Sequence, residues 1–165
     1  MEAYSALTSL YTTVHHGAGV TVHNGGVVSS TVVNSYASVL VNSGGTALDT
    51  ELNSSGCLYV NSGGYARGGN IHSRGYVYVS ATGTAAGFHV SYGGGLYGQG
   101  EDIAFDSTVV SSGADFNPGS SSGVRVLHTT VTPNASFVCG SGMSVRYTTV
   151  MSNAWLYAVS YTPLR

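Results

Sequence analysis

Apolar residues alternate with polar ones in short runs along this chain, and the runs return every nineteen residues. Residues 31–49 and 50–68 are two copies of one frame, Thr-x-Val/Leu-Asn-Ser-x-small-x-Val/Leu-x-Val-Asn-Ser-Gly-Gly-x-Ala-x-x. Sliding that frame along the chain gives starts at Thr12, Thr31, Thr50, Gly69, Phe88, Ser107, Thr129 and Thr148, with one longer step, from Ser107 to Thr129. The third column is always aliphatic: Val14, Val33, Leu52, Ile71, Val90, Val109, Val131, Val150. The ninth runs Val20, Val39, Leu58, Val77, Leu96, Asp115, Phe137, Leu156, and the eleventh is mostly valine as far as Val79. The seventeenth is small or apolar: Val28, Ala47, Ala66, Ala85, Ala104, Gly123, Val145, Leu164. A fixed period of this length predicts stacked units that bury apolar surface only against their neighbours.

Columns nine and eleven alternate with ten as a strand does, so nine and eleven face in and ten faces out. Glycine and β-branched residues dominate and no 3.6-residue spacing persists, which disfavours helices. Nineteen residues accommodate three very short strands and their turns. The predicted fold is therefore all-β: a parallel β-helix of about eight nineteen-residue coils, right-handed by the usual crossover rule. At ~4.8 Å per strand its length is about 38 Å. Residues 12–165 form one such domain with an irregular section at 88–128, and residues 1–11, with Leu7, Leu10 and Tyr11, form an N-terminal cap. Trp155, Tyr157, Tyr161 and Pro163 add bulk to the last coil, where proline stops pairing. Asn34 over Asn53 and Asn42 over Asn61 are placed to form amide ladders.

Composition narrows the function classes. The chain is 42% apolar and 7% charged, too hydrophobic for disorder. It has no lysine and five arginines at a net charge of -2, so nucleic acid is not an expected partner. No apolar run reaches membrane-spanning length, and residues 1–11 lack the basic start and apolar core of a signal peptide. Cys57 and Cys139 fall four repeats apart, about 19 Å along the stack, too far for a disulfide. The histidines scatter over different columns, Gly95-x-x-Gly98-x-Gly100 is not a phosphate loop, and no serine sits in a nucleophile elbow, so neither cofactor nor metal is expected.

Two features offer chemistry. From Phe88 to His128 the frame degrades, with Gly93–Asp102 replacing the Asn-Ser-Gly-Gly turn. That section holds four of the seven acids, Glu101, Asp102, Asp106 and Asp115, an outside candidate for a cation or substrate site. Asp115 falls in an inward column, where an unpaired carboxylate is costly, unless a local slip turns it outward. The other feature is the outward tenth column: Thr21, Leu40, Tyr59, Tyr78, Tyr97, Phe116, Val138, Tyr157. Its aromatics, Tyr59, Tyr78, Tyr97, Phe116 and Tyr157, either cover the strands and stack on one another or present a surface to sugars, to another rod or to a packing partner.

The frame resembles the nineteen-residue repeat of AIDA-type autotransporter adhesins, best at 31–49 and 50–68 and more loosely at 12–30, 69–87, 129–147 and 148–165. That resemblance implies a right-handed β-helical stalk displayed at the bacterial cell surface, with roles in adhesion and autoaggregation. It also implies serine modification by a dedicated heptosyltransferase, for which the acceptor positions are Ser35, Ser54, Ser73, Ser111 and Ser152 in the first turn and Ser43 and Ser62 in the second. The expected function is a non-enzymatic structural or adhesive module with self-association, surface glycans and a glycosyltransferase as partners. The rival is a carbohydrate-active β-helix, a lyase or hydrolase like those in pectin-degrading enzymes and phage tailspikes, using the four acids. Paired carboxylates roughly 5–9 Å apart would mark it.

Overall fold

The computed structural model describes residues 2–3 and 7–158. It is an all-β parallel solenoid of about eight turns, with no helix among the described residues. Each coil contributes one strand to each of three faces, and the strands pair in parallel with their equivalents in neighbouring coils, with one break on the first face after Asp115–Asn117. The first face stacks Gly19–Val22, Ser38–Val41, Cys57–Val60, Tyr76–Ser80, Gly95–Gln99 and Asp115–Asn117. The second and third merge into one sheet because Tyr65–Ile71 and Thr84–Val90 run unbroken through the corner between them. The earliest residues continue the register, Glu2–Ala3 pairing with Thr21 and Val22 and Thr8–Leu10 with Val27–Ser29. Tyr161, Pro163 and Leu164 lie outside the described residues.

The aliphatic columns are the core. Val33 pairs with Leu52 and Leu52 with Ile71, all fully buried, and Val20, Val39, Leu58, Val77 and Leu96 stack likewise beneath the first face. Each such side chain contributes roughly 1.5–3 kcal/mol of burial, so the energy is spread evenly along the rod. Val150 and Leu156, of the last described coil, remain exposed. The amide ladders form: Asn53 Nδ2 donates to Asn34 Oδ1 (3.0 Å) and Asn61 Nδ2 to Asn42 Oδ1 (2.8 Å). Each coil turns through three left-handed corners, and many are not glycine: Tyr36, Asp49, Ser55, Arg74, Thr82 and His128 all have positive φ. Both thiols are free, Cys57 half-buried on the first face and Cys139 buried in the core.

The irregular section corrects the frame. Val90 pairs with Val110, not Val109, and Ala85 with Phe105, not Ala104, so that coil is already one residue longer. The next coil starts at Thr108, not Ser107, and Val126, not Gly123, takes the seventeenth column. The extra residue lies within Gly100–Asp102, and two more lie within Gly119–Gly123, the same corner one coil on. The slip moves Phe116 out of the tenth column: it pairs with Leu96, is only 4% exposed, and belongs to the core instead of the aromatic surface. Asp115 turns outward, so no carboxylate is buried there. Phe105, Phe116 and Phe137 meet at centroid distances of 5.3 and 5.2 Å. The Phe105 ring lies against Gly98, where the eleventh column has lost its valine.

One inward column went unread because its residues are polar. Thr31, Thr50, Thr108 and Thr129 at position one are buried, and the hydroxyls of Thr31 and Thr108 have no hydrogen-bond partner. An unpaired buried hydroxyl is costly, so Thr31→Val, nearly isosteric, should raise stability by about 1 kcal/mol in urea titrations. A loss of that size would show that the hydroxyl is bonded.

Candidate functional site

The outward side of the first face is built by the period-two strand. Tyr59, Tyr78 and Tyr97 occupy the same position in successive coils, and their rings stack with centroids 5.4 and 5.3 Å apart at interplanar angles of 14° and 19°. Tyr76, two positions before Tyr78 on the same side, leans between Tyr78 (6.2 Å) and Tyr97 (6.1 Å). Sequence reasoning missed Tyr76 by following column ten alone, although column eight faces out by the same alternation. Gly95 is part of the arrangement: a Cβ there would fall 2.6 Å from the Tyr97 hydroxyl, so the ring lies over a bare stretch of backbone. Tyr157 stands apart, stacked on Trp155 at 6.3 Å.

Burial raises the ionisation of Tyr59, Tyr78 and Tyr97 above the usual phenol value. For Tyr59 the neighbouring Cys57 adds to this, and for Tyr97 so does its hydrogen bond to Asp115 Oδ2 (2.7 Å), in which the hydroxyl donates. A folded value above the unfolded one means these groups favour the fold below pH ~10 and cease to do so as pH rises through the raised values. Tyrosinate absorbance should therefore develop in a late phase coincident with loss of structure. Titration of all tyrosines near pH 10 in the intact fold would contradict the stacking.

At the foot of the ladder the first face opens. No backbone pairing joins Asp115–Asn117 to Ser136–Cys139, whereas the second and third faces stay paired across the same two coils. The cause is local. Pro118 has no N–H to give, Asn117 Oδ1 accepts the Gly119 N–H (3.0 Å), and the Gly140 N–H turns to Met143 Sδ (2.9 Å). The result is a cleft of about 570 Å³ lined by Asp115, Asn117, Ser120, Ser136 and Val138, with Phe116 and Phe137 at its floor.

The four acids are not brought together. Glu101 and Asp102 lie in an exposed corner, and Asp115 faces out from the first face. Asp106 lies on the second face, where its carboxylate is 2.8 Å from His128 Nδ1 and accepts a hydrogen bond from Ser107 (3.2 Å). The His128 hydrogen bond holds Asp106 below the usual carboxylate range, against the smaller opposing effect of burial. Among the described residues no three His, Cys, Asp or Glu side chains are grouped to hold a metal ion. Of the serine positions, Ser43, Ser54, Ser62, Ser73 and Ser152 are exposed and Ser35 half-buried. Ser111 is displaced by the frame slip: its hydroxyl lies 2.7 Å from His89 Nε2, and Ser112 takes the exposed corner position equivalent to Ser73.

No family model matches the chain, and no curated protein sequence matches it. Among solved structures, it is similar to the TibC-catalysed hyper-glycosylated TibA fragment 55–350, with a TM-score of 0.64 and 23% identity over 96% of this chain and 70% of that one. TibA is an AIDA-type autotransporter adhesin, so the likeness in fold falls on the type of protein whose repeat the sequence resembles.

Proposed function

We propose that this chain is a non-enzymatic stalk module of a bacterial surface adhesin, working through its outer faces in adhesion and self-association. The observation that carries the reading is the in-register ladder Tyr59–Tyr78–Tyr97, a row of half-exposed rings on a rigid parallel rod. Repetition at one-strand spacing lets a second rod or an extended partner make many weak contacts at once, which add through effective concentration. Asp106 and Asp115 stand on different faces, apart from the corner that carries Glu101 and Asp102, which favours a binding surface over a hydrolytic pair of carboxylates. The similar TibA fragment is hyper-glycosylated by TibC, and this chain carries exposed serines in rows at two corners, Ser54 and Ser73 at one and Ser43 and Ser62 at the other. They are the residues proposed to meet a glycosyltransferase.

The test replaces Tyr59, Tyr78 and Tyr97 together with serine and measures sedimentation and the clumping of cells displaying the chain. Self-association should fall at least tenfold while the circular dichroism of the parallel sheet is retained. Unchanged association with the fold intact would remove the ladder from the reading.

A further inference from the structure

We infer that the cleft between Asp115–Asn117 and Ser136–Cys139 is a binding site for a neutral saccharide. This deepens the adhesive reading, on which it rests, by naming a ligand class and a place. The cleft holds one carboxylate, Asp115, and no cationic side chain, so phosphate, sulfate and carboxylate ligands have nothing to pair with. A single carboxylate is likewise too little for a calcium or magnesium ion. Cα atoms of the two flanking strands still approach within 8 Å, too close for a peptide strand to insert between them, which needs about 9.6 Å, so a ligand lies along the outer rim of the gap.

What remains must satisfy a mixed set of donors and acceptors beside the exposed side chain of Val138. The second oxygen of Asp115 and the hydroxyls of Ser120 and Ser136 line the opening, together with the facing backbone edges of two strands that do not pair with each other. Asn117 spends its Oδ1 on Gly119 and keeps its amide N–H groups for a ligand. Sugar hydroxyls donate and accept at once and match such a set without charge, and the exposed side chain of Val138 offers the apolar face of a pyranose ring a surface to lie on. Tyr97, held in place by Asp115, stands at the edge where the ladder meets the cleft. A volume of about 570 Å³ suits two or three sugar units.

The experiment is saturation-transfer NMR on the whole chain with three neutral probes: cellotriose, maltotriose and chitotriose. At least one should show transfer with millimolar affinity. Ser136→Phe, which fills the cleft, should reduce it at least tenfold, and Asn117→Ala should weaken binding about tenfold. If Ser136→Phe does not fold, Asp115→Asn and Asn117→Ala, both at exposed positions, carry the test. The Tyr59→Ser, Tyr78→Ser double variant, which keeps Tyr97 and its bond to Asp115, should bind the probe while self-associating less, which separates this site from the ladder. No transfer from any probe to folded protein, or transfer unchanged by the cleft variants, overturns the proposal.

Discussion

Gly69→Ala should cost about 4 kcal/mol, the largest loss expected from adding a single carbon anywhere in the chain. Two effects add. Gly69 has φ +122°, which an L side chain resists by roughly 1–3 kcal/mol. A Cβ there would also run into the backbone carbonyl of Thr50 in the coil below, and backbone cannot step aside as a flexible side chain can. Gly69 sits in the inward first column between Thr50 and Phe88, so the smallest residue stands next to a fully buried phenyl ring. For a chain of this size the loss corresponds to a fall in melting temperature of roughly 8–16 °C. Thermal melts of Gly69→Ala beside Gly17→Ala, where a Cβ would meet nothing within 4 Å, separate the collision from loss of glycine itself. Equal effects at the two sites would show that the stack does not constrain position 69.

Phe116→Ala decides between two placements of one residue. On the outer surface the substitution would change stability by no more than about 0.5 kcal/mol. In the core, between Phe105 and Phe137, it should cost roughly 3–5 kcal/mol. Chemical denaturation measures this directly. Tyr78→Ala, at a half-exposed position, should cost far less while weakening association, and the reverse ranking would return Phe116 to the surface row.

The contrast shows what was legible. From Thr12 to Gly87 every spacing is nineteen, so one frame places each buried valine, leucine and isoleucine and both asparagine ladders. The difficulty from Phe88 onward is physical. Extra residues enter at Gly100–Asp102 and Gly119–Gly123, corners of glycine, serine and acids with no side chain fixed in the core, so nothing in their composition marks where a coil lengthens. Ser107 beside Thr108 offered two equivalent starts. The signal that resolves it is alternation: Ile103, Phe105 and Phe116 are too large and apolar to face water in a row, and aligning them inward gives the observed register. The buried threonines were hidden by their hydroxyls, and the cleft by depending on a pairing that fails to form. Tyr59, Tyr78 and Tyr97 could be read because they lie before the first insertion.

Two sides of the rod are laced by hydrogen bonds through the junction of the coils carrying Asp115 and Ser136, and the remaining side is not. Such a junction is stiff about two edges and compliant about the other, so sideways force would flex the shaft preferentially in one plane. Pressing one way narrows the gap and pressing the other widens it, which ties the grip of anything lodged there to the direction of drag.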